Sequence, residues 1–235
     1  MVGDWIAEAG IDVEIIEVIE ACSGAPVPSV VPDGVHGILA LGGSMGANDH
    51  LDAPWLVDEK SLLRDATERG IPVLGLCLGC QVLAEATGGR VELGPVTEIG
   101  LARVERTDEG LADLVMGAAV PLEDGSLPAA HWHQDHVAKL PPGGVLLASN
   151  DACRVQAFRI GSSSYGLQWH PEINGTVFRS WADYVDDALR RSGVDPLTAA
   201  DEVELMDDAL VTAWRPMTRA WSALVHDYAN SDSAR

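Results

Sequence analysis

Lysine is nearly absent. The 235 residues hold two, Lys60 and Lys139, and with 15 basic residues against 36 acidic ones the formal charge at pH 7 is −21. So anionic a surface argues against phosphate backbones and anionic membrane surfaces as partners. No apolar run reaches the roughly eighteen residues of a membrane-spanning helix. The opening MVGDWIAEAG has neither the basic nor the apolar region of a secretory signal, so a cytoplasmic protein is expected. Cysteine is sparse as well. Cys22, Cys77, Cys80 and Cys153 are too few and too irregularly spaced for the disulfide framework of a small secreted domain, and reduced thiols follow. Internal repeats and low-complexity linkers are also missing. What is plentiful is hydrophobic residue, 47% of the chain, enough for one sizeable core.

Short apolar runs bounded by glycine or proline alternate with amphipathic segments through the first half, a pattern that predicts an α/β fold with parallel strands joined by helices. DVEIIEV (12–18), GILAL (37–41) and PVLGL (72–76) read as strands. DEKSLLRDATERG (58–70) and LGCQVLAEATGG (78–89) read as helices stopped by glycine. From Gly89 to Arg106, and in VLLASN, VQAFRI and YGLQW (165–169), shorter strand-like pieces suggest a mixed or antiparallel extension. The last third, from TVFRSWADYVDDALRRSG to DDALVTAWRPMTRAWSALVHDYA, has helical periodicity interrupted at Gly193 to Pro196, and SDSAR reads as a frayed tail. Its tryptophans, Trp181, Trp214 and Trp221, read as core fillers.

Three segments carry chemistry. In Gly75-Leu76-Cys77-Leu78-Gly79 a cysteine sits between glycines where a buried strand turns into a helix. Such a turn lifts its central residue above the sheet, and the helix N-terminus favours the thiolate. A cysteine packing as a small hydrophobe is the competing reading. A nucleophile needs a base and the base an orienter; GLQWHPE (166–172) offers His170 and Glu172 after an apolar strand. LGGSMG (41–46) follows the strand GILAL and lets backbone approach a ligand closely, while the Lys-Ser/Thr ending of a phosphate loop is missing. Three histidines and an aspartate in HWHQDHV (131–137) admit a metal reading, which takes second place because no further ligand cluster at suitable spacing accompanies them.

Taken together, GGSMG, PVLGLCLGCQVLAEATGG and GLQWHPE resemble the signatures of class I glutamine amidotransferases of the triad type, over roughly Val13 to Thr176. The resemblance implies a flavodoxin-like fold with a mostly parallel central sheet flanked by helices, a small antiparallel extension and a helical C-terminal region. It also implies hydrolysis of the glutamine side-chain amide through a γ-glutamyl thioester. By motif, Cys77 would be the nucleophile, His170 the general base and acid, and Glu172 its orienter. Gly43 and Leu78 would donate to the oxyanion, and Gln81 would contact the glutamyl group. His133, Gln134 and Asp135, in a segment matching a family loop, would contact the substrate's α-amino and α-carboxylate groups. No cofactor and no metal are implied. The stretch 140–160 is similar to stand-alone members, including plant γ-glutamyl peptidases.

The chain departs from that pattern in two places. Cys80 stands where the family often has histidine or a small residue; it reads as packing, with a Cys77–Cys80 redox pair as the alternative. No counterpart of the family's opening strand precedes VGDWIAEAG: either the true start lies upstream, or the sheet edge is completed another way, by a partner chain or a homo-oligomer. The expected layout is a catalytic domain over 1–182 and a helical extension over 183–235 packed on it. Three functions compete. The first is a stand-alone amidotransferase passing ammonia to a separate synthetase or acceptor enzyme. The second is a γ-glutamyl peptidase or transferase acting on another γ-glutamyl small molecule. The third is a non-catalytic binding or regulatory protein that retains the fold.

Overall fold

A computed structural model describes residues 1–18, 27–182, 190 and 192–234. The chain opens with helix α1 (Val2–Glu8), followed by strand β1 (Ile38–Ala40), α2 (Trp55–Arg69), β2 (Val73–Leu76) and α3 (Leu78–Ala86). Two long strands follow, β3 (Arg90–Arg106) and β4 (Leu127–Lys139), separated by the short helix α4 (Asp108–Ala112). Then come β5 (Val145–Ser149), β6 (Ala157–Ile160) and β7 (Ser164–Leu167). Three further helices close the described chain, α5 (Gly175–Trp181), α6 (Pro196–Leu205) and α7 (Asp207–Asp232).

The strands form one sheet in the order β1-β2-β7-β6-β5-β3-β4. Only β1, β2 and β7 run parallel; every other pairing is antiparallel. The fold is thus the expected α/β class with a mixed sheet, in which the antiparallel part is larger than a small extension. Alternating residues of β2 face opposite sides, as the pleat requires. Leu74 and Leu76 join Tyr165, Trp214, Met217 and Trp221 in one core. Val73 joins Leu56, Leu63, Leu83 and Phe158 in the other. Helices α1 and α7 lie on the first face, α2 and α3 on the second. Trp214 and Trp221 are core residues, as expected, and the Trp214 indole N–H donates to the Pro128 carbonyl at 3.0 Å.

Three expectations need correction. DVEIIEV (12–18) forms no strand; Val13, Ile15 and Ile16 are exposed and the segment pairs with nothing in the sheet. Alternation supplies strand propensity, but a strand needs a neighbour. HWHQDHV is no loop: it belongs to β4, paired with β3, and only Gln134 lies opposite an irregularity, the four residues 94–97 inserted between Leu93 and Glu98. The tail SDSAR does not fray from its first residue, since α7 runs through Asp232. The helix expected across 183–189 and 191 lies outside the described residues.

All three parallel strands carry motif residues at their C-terminal ends, and the register brings those ends to one rim. Gly75 pairs with Ala40 on one side and with Gly166 on the other; Leu76 pairs with Leu167. The carboxyl edge of a parallel sheet is where α/β proteins build sites. Two glycines let α3 sit close above it. A Cβ on Gly75 would stand 2.5 Å from the Gly79 carbonyl oxygen, and one on Gly79 would stand 2.3 Å from the Ala40 carbonyl oxygen. Both obstacles are backbone, so Gly79→Ala is expected to cost about 3 kcal/mol by forcing α3 off β1. A urea midpoint that falls with unchanged slope would record it.

Candidate active site

The turn from β2 into α3 places Cys77 at the N-cap position with φ 51° and ψ −106°. Among the described residues it is the sole non-glycine with positive φ. A backbone held there costs on the order of 1–3 kcal/mol and persists because the surroundings enforce it. Here the Cys77 N–H extends the β2–β7 ladder to the Leu167 carbonyl at 2.8 Å, and its own carbonyl accepts from Gln81 N–H. The first N–H groups of α3, Leu78 among them, have no acceptor within the helix, and they put the positive end of its dipole beside Cys77. The thiol itself is 5% exposed.

His170 follows β7 at the same rim, its N–H tied to the Ala130 carbonyl of β4 at 2.9 Å. Its Nδ1 lies 2.7 Å from Glu172 Oε1, and the ring lies within electrostatic reach of Cys77. Burial alone would lower the imidazole's pKa. Cys77 and Glu172 outweigh it and push His170 up to about 10. Pro171 fixes the two-residue step between imidazole and carboxylate. Gly42, just beyond β1, packs against the pair: a Cβ there would lie 2.9 Å from His170 Cε1 and 3.6 Å from Cys77 Cβ. The structure therefore brings Cys77, His170 and Glu172 together from two strand ends and closes them in with the third.

The other sequence-selected residues surround this group. Gly43 abuts Leu78, since a Cβ on it would meet Leu78 Cδ2 at 2.8 Å, so the N–H-bearing backbones of both lie beside the elbow. Gln81 is buried on α3 and donates to the Asp135 carbonyl at 2.8 Å and to Gln168 Oε1 at 3.3 Å. The Asp135 carboxylate lies against Gly46 of the GGSMG turn, and Gln134 is partly exposed opposite the β3 irregularity. His133 behaves differently. Its side chain is turned toward His131 and Glu98. Cys80 is fully buried, and burial, with Cys77 and Cys153 nearby, keeps its thiol well above its ordinary pKa. Cys77, Cys80 and Cys153 are all free thiols.

Two features escape the sequence reading. Trp181, a core filler by helical periodicity, stands edge-on to His170 with ring centroids 4.9 Å apart, and it continues through Trp132 and Phe178 into an aromatic wall. Its spacing from the HPE motif is a hint, eleven residues on at the end of one helix. Glu98 completes a buried cluster with His131 and His133; a single glutamate in the strand GPVTEIG carries no signal until the β3–β4 register is known.

A thiol on a helix N-terminus, an imidazole nearby paired with a carboxylate, and backbone N–H groups alongside are the groups that cysteine-dependent acyl transfer on an α/β sheet would need. The sequence model of the family "Glutamine amidotransferase class-I" matches residues 6–182. The chain belongs to that family. It is 40% identical over 112 residues to a glutamine-hydrolyzing GMP synthase of Paraburkholderia phytofirmans, a match covering 47% of this chain and 21% of that protein. It is 35% identical over 129 residues to the glutamine-hydrolyzing GMP synthase subunit of Thermococcus kodakarensis, covering 52% and 65% respectively. The chain thus spans about a fifth of the first of these relatives and just under two thirds of the second. A crystal structure of a glutamine amido transferase from Methylobacillus flagellatus superposes with a TM-score of 0.73 at 26% identity, over 96% of this chain and 88% of that one.

Proposed function

We propose that the protein hydrolyses the side-chain amide of glutamine through a thioester on Cys77 and passes the ammonia to a separate acceptor enzyme. The observation that carries this reading is the His170 ring paired with Glu172 at 2.7 Å and packed, with Cys77, against Gly42 at the rim. Membership of the amidotransferase family and the glutamine-hydrolyzing names of its relatives support the substrate. The thiolate adds to the amide carbon while the Gly43 and Leu78 N–H groups receive the oxyanion. The His170 imidazolium gives its proton to the departing nitrogen, and ammonia leaves as the carbonyl reforms. Neutral His170 then takes a proton from water, which attacks the thioester; glutamate departs and the thiolate returns. Glu172 fixes the imidazole's orientation and balances its charge. Gln81, Gln134, Asp135 and the His133 backbone line the glutamyl side. The catalytic unit occupies 1–182, and the C-terminal helices brace it from the first face of the sheet.

One observation favours a second reading, a larger γ-glutamyl substrate: the aromatic wall led by Trp181 flanks His170, where a leaving amine must collect its proton. Purified protein incubated with glutamine and with γ-glutamyl dipeptides separates the two, ammonia and glutamate from glutamine supporting the first and preferential dipeptide cleavage the second. A glutamine-like diazoketone is expected to label Cys77. Failure to label the free protein and its partner complex alike would leave a non-catalytic role.

A further inference from the structure

Three side chains that this reaction leaves unused converge beneath the rim. Glu98, His131 and His133 are buried, and their potential ligand atoms all lie within 4.8 Å of one another. Strand geometry brings them there. His131 and His133 are two residues apart on β4 and share a face, while Glu98 is the register partner of His133 on β3. His131 Nδ1 lies 3.2 Å from His133 Nε2, which lies 3.3 Å from Glu98 Oε2. Ligand atoms about 2.0–2.1 Å from a tetrahedral zinc stand roughly 3.4 Å from each other, so these separations suit a shared ion.

The hydrogen-bond pattern points the same way. His133 Nδ1 is 3.1 Å from the Asp135 carbonyl, which only accepts, so Nδ1 carries hydrogen and Nε2 is the ring atom turned to Glu98 and His131. Three potential ligand atoms thus converge on one buried point, which a shared proton or a metal ion would bridge.

The surroundings favour the metal. Asn150 Nδ2 donates to Glu98 Oε1 and Gln156 Nε2 to Glu98 Oε2, both at 2.7 Å, and the Asp135 carbonyl orients His133; supports of this kind normally fix metal ligands. We propose that Glu98, His131 and His133 bind one divalent transition-metal ion, with zinc the best match to two imidazoles and a carboxylate, and with a fourth position left to water. The role is positional. The Asp135 carbonyl that orients His133 also receives the Gln81 amide, so the ion would pin the β4 segment facing the elbow.

The test uses the full chain carrying Cys77→Ser, which removes the reactive thiol as a competing ligand. Stripped with chelator and then titrated with Co2+ or Zn2+, it is expected to retain about one ion per chain after desalting. Co2+ should give visible d–d bands without a near-ultraviolet thiolate band, and Zn2+ should raise the melting temperature. Glu98→Gln should abolish all three effects. Asn150→Ala, which removes a support and no ligand, should weaken affinity about 10–100-fold. Should Glu98→Gln fail to fold by circular dichroism, His131→Asn takes its place. The proposal is overturned by substoichiometric metal, by a thiolate band, by binding that survives loss of either ligand, or by nitrogen NMR showing a doubly protonated His133 indifferent to added Zn2+.

Discussion

Cys77→Ala is expected to lower glutamine turnover by at least about 10⁴-fold while leaving the protein folded, because it removes the atom that becomes acylated and nothing else. The side chain is 5% exposed, yet only one sulfur is lost, so the melting temperature should drop by no more than about 1 kcal/mol of stability would produce. The same change should be visible on the base. After burial, Cys77 is the largest influence on His170 and, with Glu172, holds it near 10; without Cys77 the imidazole's pKa is expected to fall, which histidine NMR resonances followed against pH would show. A third variant separates chemistry from backbone. Because φ at this position is 51°, glycine relieves a strain that alanine keeps. Cys77→Gly should therefore be as inactive as Cys77→Ala and melt no lower. If Cys77→Ala retained turnover, the elbow would hold a packing residue, and the acyl-transfer reading would end there.

The parallel strands are readable because each is a short buried run capped by chemistry: GILAL before GGSMG, PVLGL before Cys77, YGLQW before His170. In a parallel sheet all C-terminal ends fall on one rim, so the order of motifs along the chain already implies their meeting. What stays hidden depends on register and on neighbours. HWHQDHV matches a family loop, yet it is a strand in which His133 meets Glu98 across the ladder, beside a four-residue irregularity that composition does not encode. DVEIIEV looks like a strand because it alternates, yet the sheet ends at β1 and supplies it with no partner. Trp181 reads as core because helical periodicity cannot say which end of a helix abuts an imidazole.

Glu172→Gln is expected to reduce turnover by about 10²–10⁴-fold, less than His170→Ala, because the base survives but loses its orienting acceptor. An amide can present an N–H to His170 Nδ1, which stabilises the ring with its hydrogen on Nε2, the wrong tautomer for taking a proton from water. It also removes one of the charges that keep His170 near 10. The pH dependence carries the sign. A histidine raised from 6.5 to about 10 in the folded state adds stability that is complete below about 6.5 and disappears as pH climbs through 10. Losing part of that rise should make the stability gap between Glu172→Gln and the unmodified protein full at and below about pH 6.5 and narrowing as pH climbs through 10, above which both imidazoles are neutral. The alkaline limb of kcat/KM should move to lower pH in the same variant. Denaturant melts at several pH values, paired with the rate profile, read both effects. A gap that stays constant across that range would mean that the 2.7 Å contact between Glu172 and His170 aligns the ring without holding its charge, and the carboxylate's electrostatic role would have to be given up.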